Sequence, residues 1–185
     1  AGGAVCVDSC YNVVISFNTI INNKALSGGG IACVSEASPV IEFNTVIHNQ
    51  ANGNGGGILC DSTTDIVIEN NNILNNHANS GGGIKLFSEN GAEITNNMIS
   101  GNYADIGAGI QLLLCSGIIS DNIIIHNTAT SEGGGICIYA ASNLELENNY
   151  VAYNSSGFYR GGLYNVKSDA IYLTDNIFEF NSAVS

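Results

Sequence analysis

Sixteen acids stand against only four lysines and arginines in this 185-residue chain, so carboxylates are the first place to look for chemistry. Hydrolysis of a glycosidic bond needs two carboxyl groups at a defined separation. Asp8 and Asp61 hold equivalent positions two repeats apart, which sets them about 10 Å from each other once the repeats stack. No further acid lies between them on that face. Glu42 and Glu69 occupy one column on adjacent repeats, where a cation such as Ca²⁺ could bridge them; no other cofactor is expected. His48 and His126 share a column but lie three repeats apart, too far to share a metal, and His77 belongs to another column. Six cysteines occur without a CxxC pair, so zinc is not indicated. Cys33 and Cys60 fall on adjacent repeats, a spacing that permits either a disulfide or two stacked free thiols. Cys6, Cys10, Cys115 and Cys137 have no evident partners.

The more distinctive cluster is aromatic. Tyr139, Phe158, Tyr159, Arg160 and Tyr164 gather near the last two repeats. Aromatic faces beside a guanidinium suit sugar stacking or the anchoring of a protein. They equally suit side chains that shield a rod end. Lys85, Phe87 and Gln111 are expected on the same outward face and complete the candidate ligand-binding set.

What positions these residues is a repeat. The segments Gly28-Gly29-Gly30-Ile31, Gly55-Gly56-Gly57-Ile58, Gly81-Gly82-Gly83-Ile84, Gly107-Ala108-Gly109-Ile110 and Gly133-Gly134-Gly135-Ile136 recur. Gly2-Gly3-Ala4-Val5 precedes them and Arg160-Gly161-Gly162-Leu163 follows as a degenerate copy. From Val5 to Leu163 the steps are 26, 27, 26, 26, 26 and 27 residues. Two asparagine columns keep the same period. One is Asn18, Asn44, Asn71, Asn97, Asn122, Asn149 and Asn176; the other is Asn23, Asn49, Asn76, Asn102, Asn127, Asn154 and Asn181. Ala25, Ala51, Ala78, Ala104, Ala129, Ser156 and Ala183 follow two residues beyond the second column.

Apolar residues alternate within each unit, as in Ile66-Val67-Ile68-Glu69, which is strand periodicity. Richness in Ile, Val, Asn and Gly keeps helix propensity low. Each unit therefore reads as three short strands separated by turns, one coil of a parallel β-helix. Stacking at about 4.8 Å places equivalent side chains above one another, so each asparagine can bond the turns above and below and can also supply the left-handed backbone of a sharp corner. Ile15, Ile41, Ile68, Ile94, Ile119, Leu146 and Leu173 are expected to form an inward apolar column. Ile21, Ile47, Leu74 and Ile125 are expected as an outward stripe. Asn70, Asn96, Asp121, Asn148 and Asp175 read as turn residues beside the ladder.

The string Ile20-x-x-Asn23-x-Ala25-x-x-Gly28-Gly29-Gly30-Ile31 and its copies resemble the repeat of chlamydial polymorphic membrane proteins, with Phe178-Glu179-Phe180-Asn181 and Gly2-Gly3-Ala4-Val5 matching its two tetrads. More broadly the chain resembles the pectin-lyase-like β-helix superfamily. The resemblance implies an all-β fold: a right-handed, single-stranded parallel β-helix of about seven coils, one domain over residues 1–185. It also implies that the strand opening at the Gly-Gly-Gly-Ile segment is where the family's enzymes build clefts. Its lyases need a base near cation-binding acids, but Lys85 stands alone.

The formal charge of −12 disfavours nucleic acid and anionic membranes. No apolar run approaches the length of a membrane span. The leading expectation is a noncatalytic surface-exposed or secreted β-helix, an adhesin or passenger segment of bacterial type, binding a polysaccharide or a cell-surface protein. The alternatives are part of a polysaccharide-degrading enzyme and an end-to-end assembling filament element. The last follows because the pattern opens mid-repeat, no cap is evident, and Ser185 falls in the column of Ser27, so one rod could continue another head to tail.

Overall fold

The computed structural model describes residues 2–184. Ala1 and Ser185, on which part of the head-to-tail expectation rests, lie outside the described residues. All regular elements are short parallel strands, 27 among the described residues.

Three seven-stranded parallel sheets form the faces of a rod. The first stacks Val5–Asp8, Ile31–Val34, Ile58–Asp61, Ile84–Phe87, Ile110–Leu113, Ile136–Tyr139 and Leu163–Val166. The second runs from Tyr11–Ser16 to Asp169–Thr174, and the third from Thr19–Ile21 to Ile177–Glu179. Residues one repeat apart are Cα partners throughout the first sheet, as in Val5↔Ile31↔Ile58↔Ile84↔Ile110↔Ile136↔Leu163. A short fourth face lies between the third sheet and the glycine triplet. It holds Lys24–Ala25 with Gln50–Ala51, and Tyr103–Ile106 with Thr128–Glu132, Ser155–Ser156 and Ser182–Ala183. Bridges through His77 join these two groups. The three strands per coil expected from sequence are thus joined by a fourth, which is too short to show an alternation of its own. Six steps between coils give the rod a length of about 30 Å.

The core is a set of columns. Ile31, Ile58, Ile84, Ile110 and Ile136 stack from the first sheet; Ile15, Ile41, Ile68, Ile94, Ile119 and Leu146 from the second; Ile20, Val46, Ile73, Ile99, Ile124 and Val151 from the third. In the last coil the inward residues Leu173 and Phe178 are exposed, and with Arg160, Leu163 and Phe180 they line an open cleft of about 540 Å³. The expected outward stripe is outward: Ile21 is exposed and Ile47, Leu74 and Ile125 are half-buried.

Both asparagine columns are hydrogen-bonded ladders. From the second coil onward each Oδ1 accepts from the backbone N–H and the Nδ2 of the asparagine one coil earlier, with Nδ2–Oδ1 distances of 2.9–3.1 Å. The Nδ2 also donates to a carbonyl of the preceding coil, as from Asn97 to Ile68 at 2.8 Å. One expectation is corrected here. The ladder asparagines do not carry the left-handed backbone; the residue before each one does. Phe17, Phe43, Asn70, Asn96, Asp121, Asn148 and Asp175 precede the first ladder with φ of 52–57°. Asn22, His48, Asn75, Gly101, His126, Tyr153 and Phe180 precede the second with φ of 51–67°. The left-handed residue turns the chain, and the asparagine after it points inward to bond the carbonyls that the corner leaves unpaired.

Candidate functional site

The outward column of the first sheet is Cys6, Ala32, Leu59, Lys85, Gln111, Cys137 and Tyr164, and its middle is buried. The first glycine of each triplet explains why. Its left-handed turn folds the fourth face back over the residue four positions later. A Cβ on Gly81 would stand 2.6 Å from the Lys85 Cβ, and one on Gly107 would stand 2.6 Å from that of Gln111. Lys85 and Gln111, expected on a ligand-binding surface, are therefore only 7% and 4% exposed. Lys85 Nζ donates to Ser80 Oγ at 2.7 Å and to Gln111 Oε1 at 2.6 Å, and Ser80 Oγ donates to the same Oε1. Burial lowers the Lys85 pKa. Phe87 is half-buried and separated from Tyr139 by Leu113, so it stands apart from the aromatic cluster.

The cover opens in the last coil. Arg160 replaces the first glycine and adopts φ 44°, a conformation costly for a side chain with a Cβ. The residue beneath is Tyr164, too large to be sealed in, and it is only half-buried. Tyr159 lies against it, rings stacked at 5.4 Å and 11°. Tyr139 meets Tyr164 edge-on at 6.0 Å and 85°. The Tyr139 hydroxyl donates to the Glu132 carboxylate, and Glu132 is bridged to Tyr159 through the backbone. Partial burial, then the bond to Glu132 and its charge, raise the Tyr139 pKa. Phe158 and Arg160, on either side of Tyr159 in the chain, are exposed, Phe158 at 68%, and Arg160 also lines the end cleft. Three of the eight expected ligand residues (Tyr139, Tyr159 and Tyr164) thus pack against one another, with Phe158 and Arg160 as the chain neighbours of Tyr159, whereas Lys85, Gln111 and Phe87 do not join them.

The acids form no such group. Asp8 and Asp61 are in register two steps apart with Val34 between, and each accepts from a neighbouring serine hydroxyl, Ser9 at 2.9 Å and Ser62 at 3.0 Å. Glu42 and Glu69 are Cα partners, but no cluster of three metal-ligating side chains occurs among the described residues. His48 and His126 are left-handed corner residues. All six thiols are free; Cys6 and Cys10 are exposed, and Cys33, Cys60, Cys115 and Cys137 are buried. Cys33 and Cys60 are Cα partners inside the core, so the stacked-thiol alternative holds.

A family model described as a right handed beta helix region matches residues 1–117. The chain belongs to the right-handed β-helix family. No curated protein and no solved structure gives a significant match.

Two features of this β-helix escape a reading of its sequence. Glu89 is a fully buried carboxyl at the corner after the first sheet, stacked in the column of Ala37, Thr63, Cys115 and Ala141. Its carboxyl accepts from the Thr63 hydroxyl and, at 3.4 Å, from the Ile66 N–H. Burial pushes its pKa up from 4.5 to about 7, against the lowering effect of those bonds. The second feature is a pair of aromatic stacks on the corners. Phe17 lies on Phe43 at 5.0 Å; His126, Tyr153 and Phe180 stack at 5.1 and 5.0 Å. Their common offset, one residue before a ladder asparagine, was the available signal for the stacks. For Glu89 there was none, because the other residues of its column are Ala, Thr and Cys.

Proposed function

We propose that this β-helix is a noncatalytic rod of a secreted or cell-surface protein that binds an uncharged polysaccharide on the platform of Tyr139, Tyr159 and Tyr164. The observation that carries this reading is the stacked and edge-on packing of the three rings at 5.4 and 6.0 Å beside the exposed Phe158 and Arg160. Sugar rings present C–H faces that lie on aromatic planes, and ring hydroxyls then reach polar groups at the rim. Glu132 and the Arg160 guanidinium are suitable rim partners. The platform sits on hydrogen-bonded coils, so little ordering is needed on binding. The net charge of −12 favours neutral over polyanionic glycans.

A glycan array carrying neutral and uronate-containing oligosaccharides tests this. The expected result is binding to neutral glycans that is lost in Tyr159→Ala and Tyr164→Ala. An array without hits, or hits unaffected by both substitutions, would overturn it.

A further inference from the structure

The buried contact between Lys85 and Gln111 has the composition of an amide-forming pair. Lys85 belongs to the fourth coil and Gln111 to the fifth, and they are Cα partners in the first sheet. Nζ lies 2.6 Å from Oε1, next to the Cδ that an amine would attack. The Ser80 hydroxyl donates to that same Oε1 and accepts from Nζ at 2.7 Å. A nucleophile, an electrophile and a proton carrier therefore share one enclosed place, which removes most of the ordering cost of bringing them together.

We infer that Lys85 and Gln111 join in a self-formed isopeptide bond that clamps the fourth coil to the fifth. The neutral Nζ adds its lone pair to Gln111 Cδ, and the carbonyl π pair moves onto Oε1, where the Ser80 hydroxyl stabilises it. One Nζ proton passes to Nε2. The Cδ–Nε2 bond then breaks, the carbonyl re-forms, and one ammonia leaves for each new Cδ–Nζ bond. No oxidant or further reactant enters. Burial helps, because it lowers the pKa of Lys85 and so favours the nucleophilic neutral amine. Cys137 is the Cα partner of Gln111 on the other side. Its thiol is pushed up to about 12 by burial, which keeps it protonated and a poor competitor.

The bond has a signature that does not depend on activity. The intact mass of the folded wild-type chain is expected to be one ammonia below that of its sequence, while Lys85→Met and Gln111→Met each show their full sequence mass. After denaturation, trypsin is expected to cut beyond Lys24, Arg160 and Lys167 but not beyond an acylated Lys85. A wild-type mass equal to the sequence mass, with cleavage after Lys85, would overturn the inference. So would an ammonia loss that persists in Lys85→Met, since that result places the loss elsewhere, in a Cys137 thioester or in a succinimide at Asn52-Gly53, Asn54-Gly55 or Asn90-Gly91.

Discussion

Replacing Glu89 with glutamine should abolish a specific part of the pH dependence of stability. The wild-type carboxyl is fully buried, and its pKa rises from 4.5 to about 7 in the fold. The groups facing it are Thr63 and Cys115 in its own column, Cys60 beside them, and the nearby Asp65, whose charge also raises it. Because the folded value lies above the unfolded one, the folded state holds the proton more tightly. The contribution of neutral Glu89 is fully present below about pH 4.5 and is lost as pH rises through about 7. At about 1.4 kcal/mol per unit the shift corresponds to about 3 kcal/mol, and screening by water near the corner reduces this to about 2 kcal/mol. Glutamine keeps a carbonyl oxygen for the Ile66 N–H and turns an amide N–H towards the Thr63 hydroxyl oxygen, and it does not titrate. General repulsion among the acids also changes with pH, yet it is common to both proteins, so the difference isolates the one group. The assay is denaturant unfolding of wild type and Glu89→Gln across pH 4 to 9 (about one-unit steps). Wild type should lose about 2 kcal/mol relative to the variant between about pH 4.5 and 7, with little further change above that. A difference constant with pH would refute a carboxyl buried at this corner.

Other substitutions probe the scaffold. Asn97→Ala removes the donor to Ile68 O, Thr95 O and Asn122 Oδ1 and the acceptor for Asn71, so it should cost about 3 kcal/mol in equilibrium unfolding. Gly81→Ala places a Cβ 2.6 Å from that of Lys85 at φ +68° and should cost about 2–4 kcal/mol, measured the same way. Thiol titration of the native protein should find Cys6 and Cys10 reactive at once, with Cys33, Cys60, Cys115 and Cys137 reacting only on unfolding.

The repeat made most of the fold legible, because stacking at one fixed spacing turns a sequence period directly into spatial columns. Ile41, Ile68 and Ile94 could be placed in the core, and Asn71, Asn97 and Asn122 in one ladder, from their offsets alone. What sequence reasoning misplaced were Lys85 and Gln111. Alternation puts them outward, and they do point away from the core, but the left-handed glycine at Gly81 or Gly107 brings a second layer of chain over them. Strand periodicity carries no information about that layer. The aromatic cluster was legible as a set because Arg160 breaks the glycine column four residues before Tyr164. The stacking of Tyr159 on Tyr164 and the bond from Tyr139 to Glu132 depend on the fourth face, whose strands are too short to announce themselves.

The most direct test of carbohydrate binding is a calorimetric titration of neutral oligosaccharides into wild type, Tyr164→Phe and Tyr164→Ala. Phenylalanine keeps the stacked face and should bind nearly as well as wild type. Alanine removes the ring between Tyr139 and Tyr159 and should weaken binding about tenfold or more, the equivalent of about 1.4 kcal/mol. Equal affinity for Tyr164→Ala and wild type, or no heat of binding with wild type across the panel, would contradict the platform.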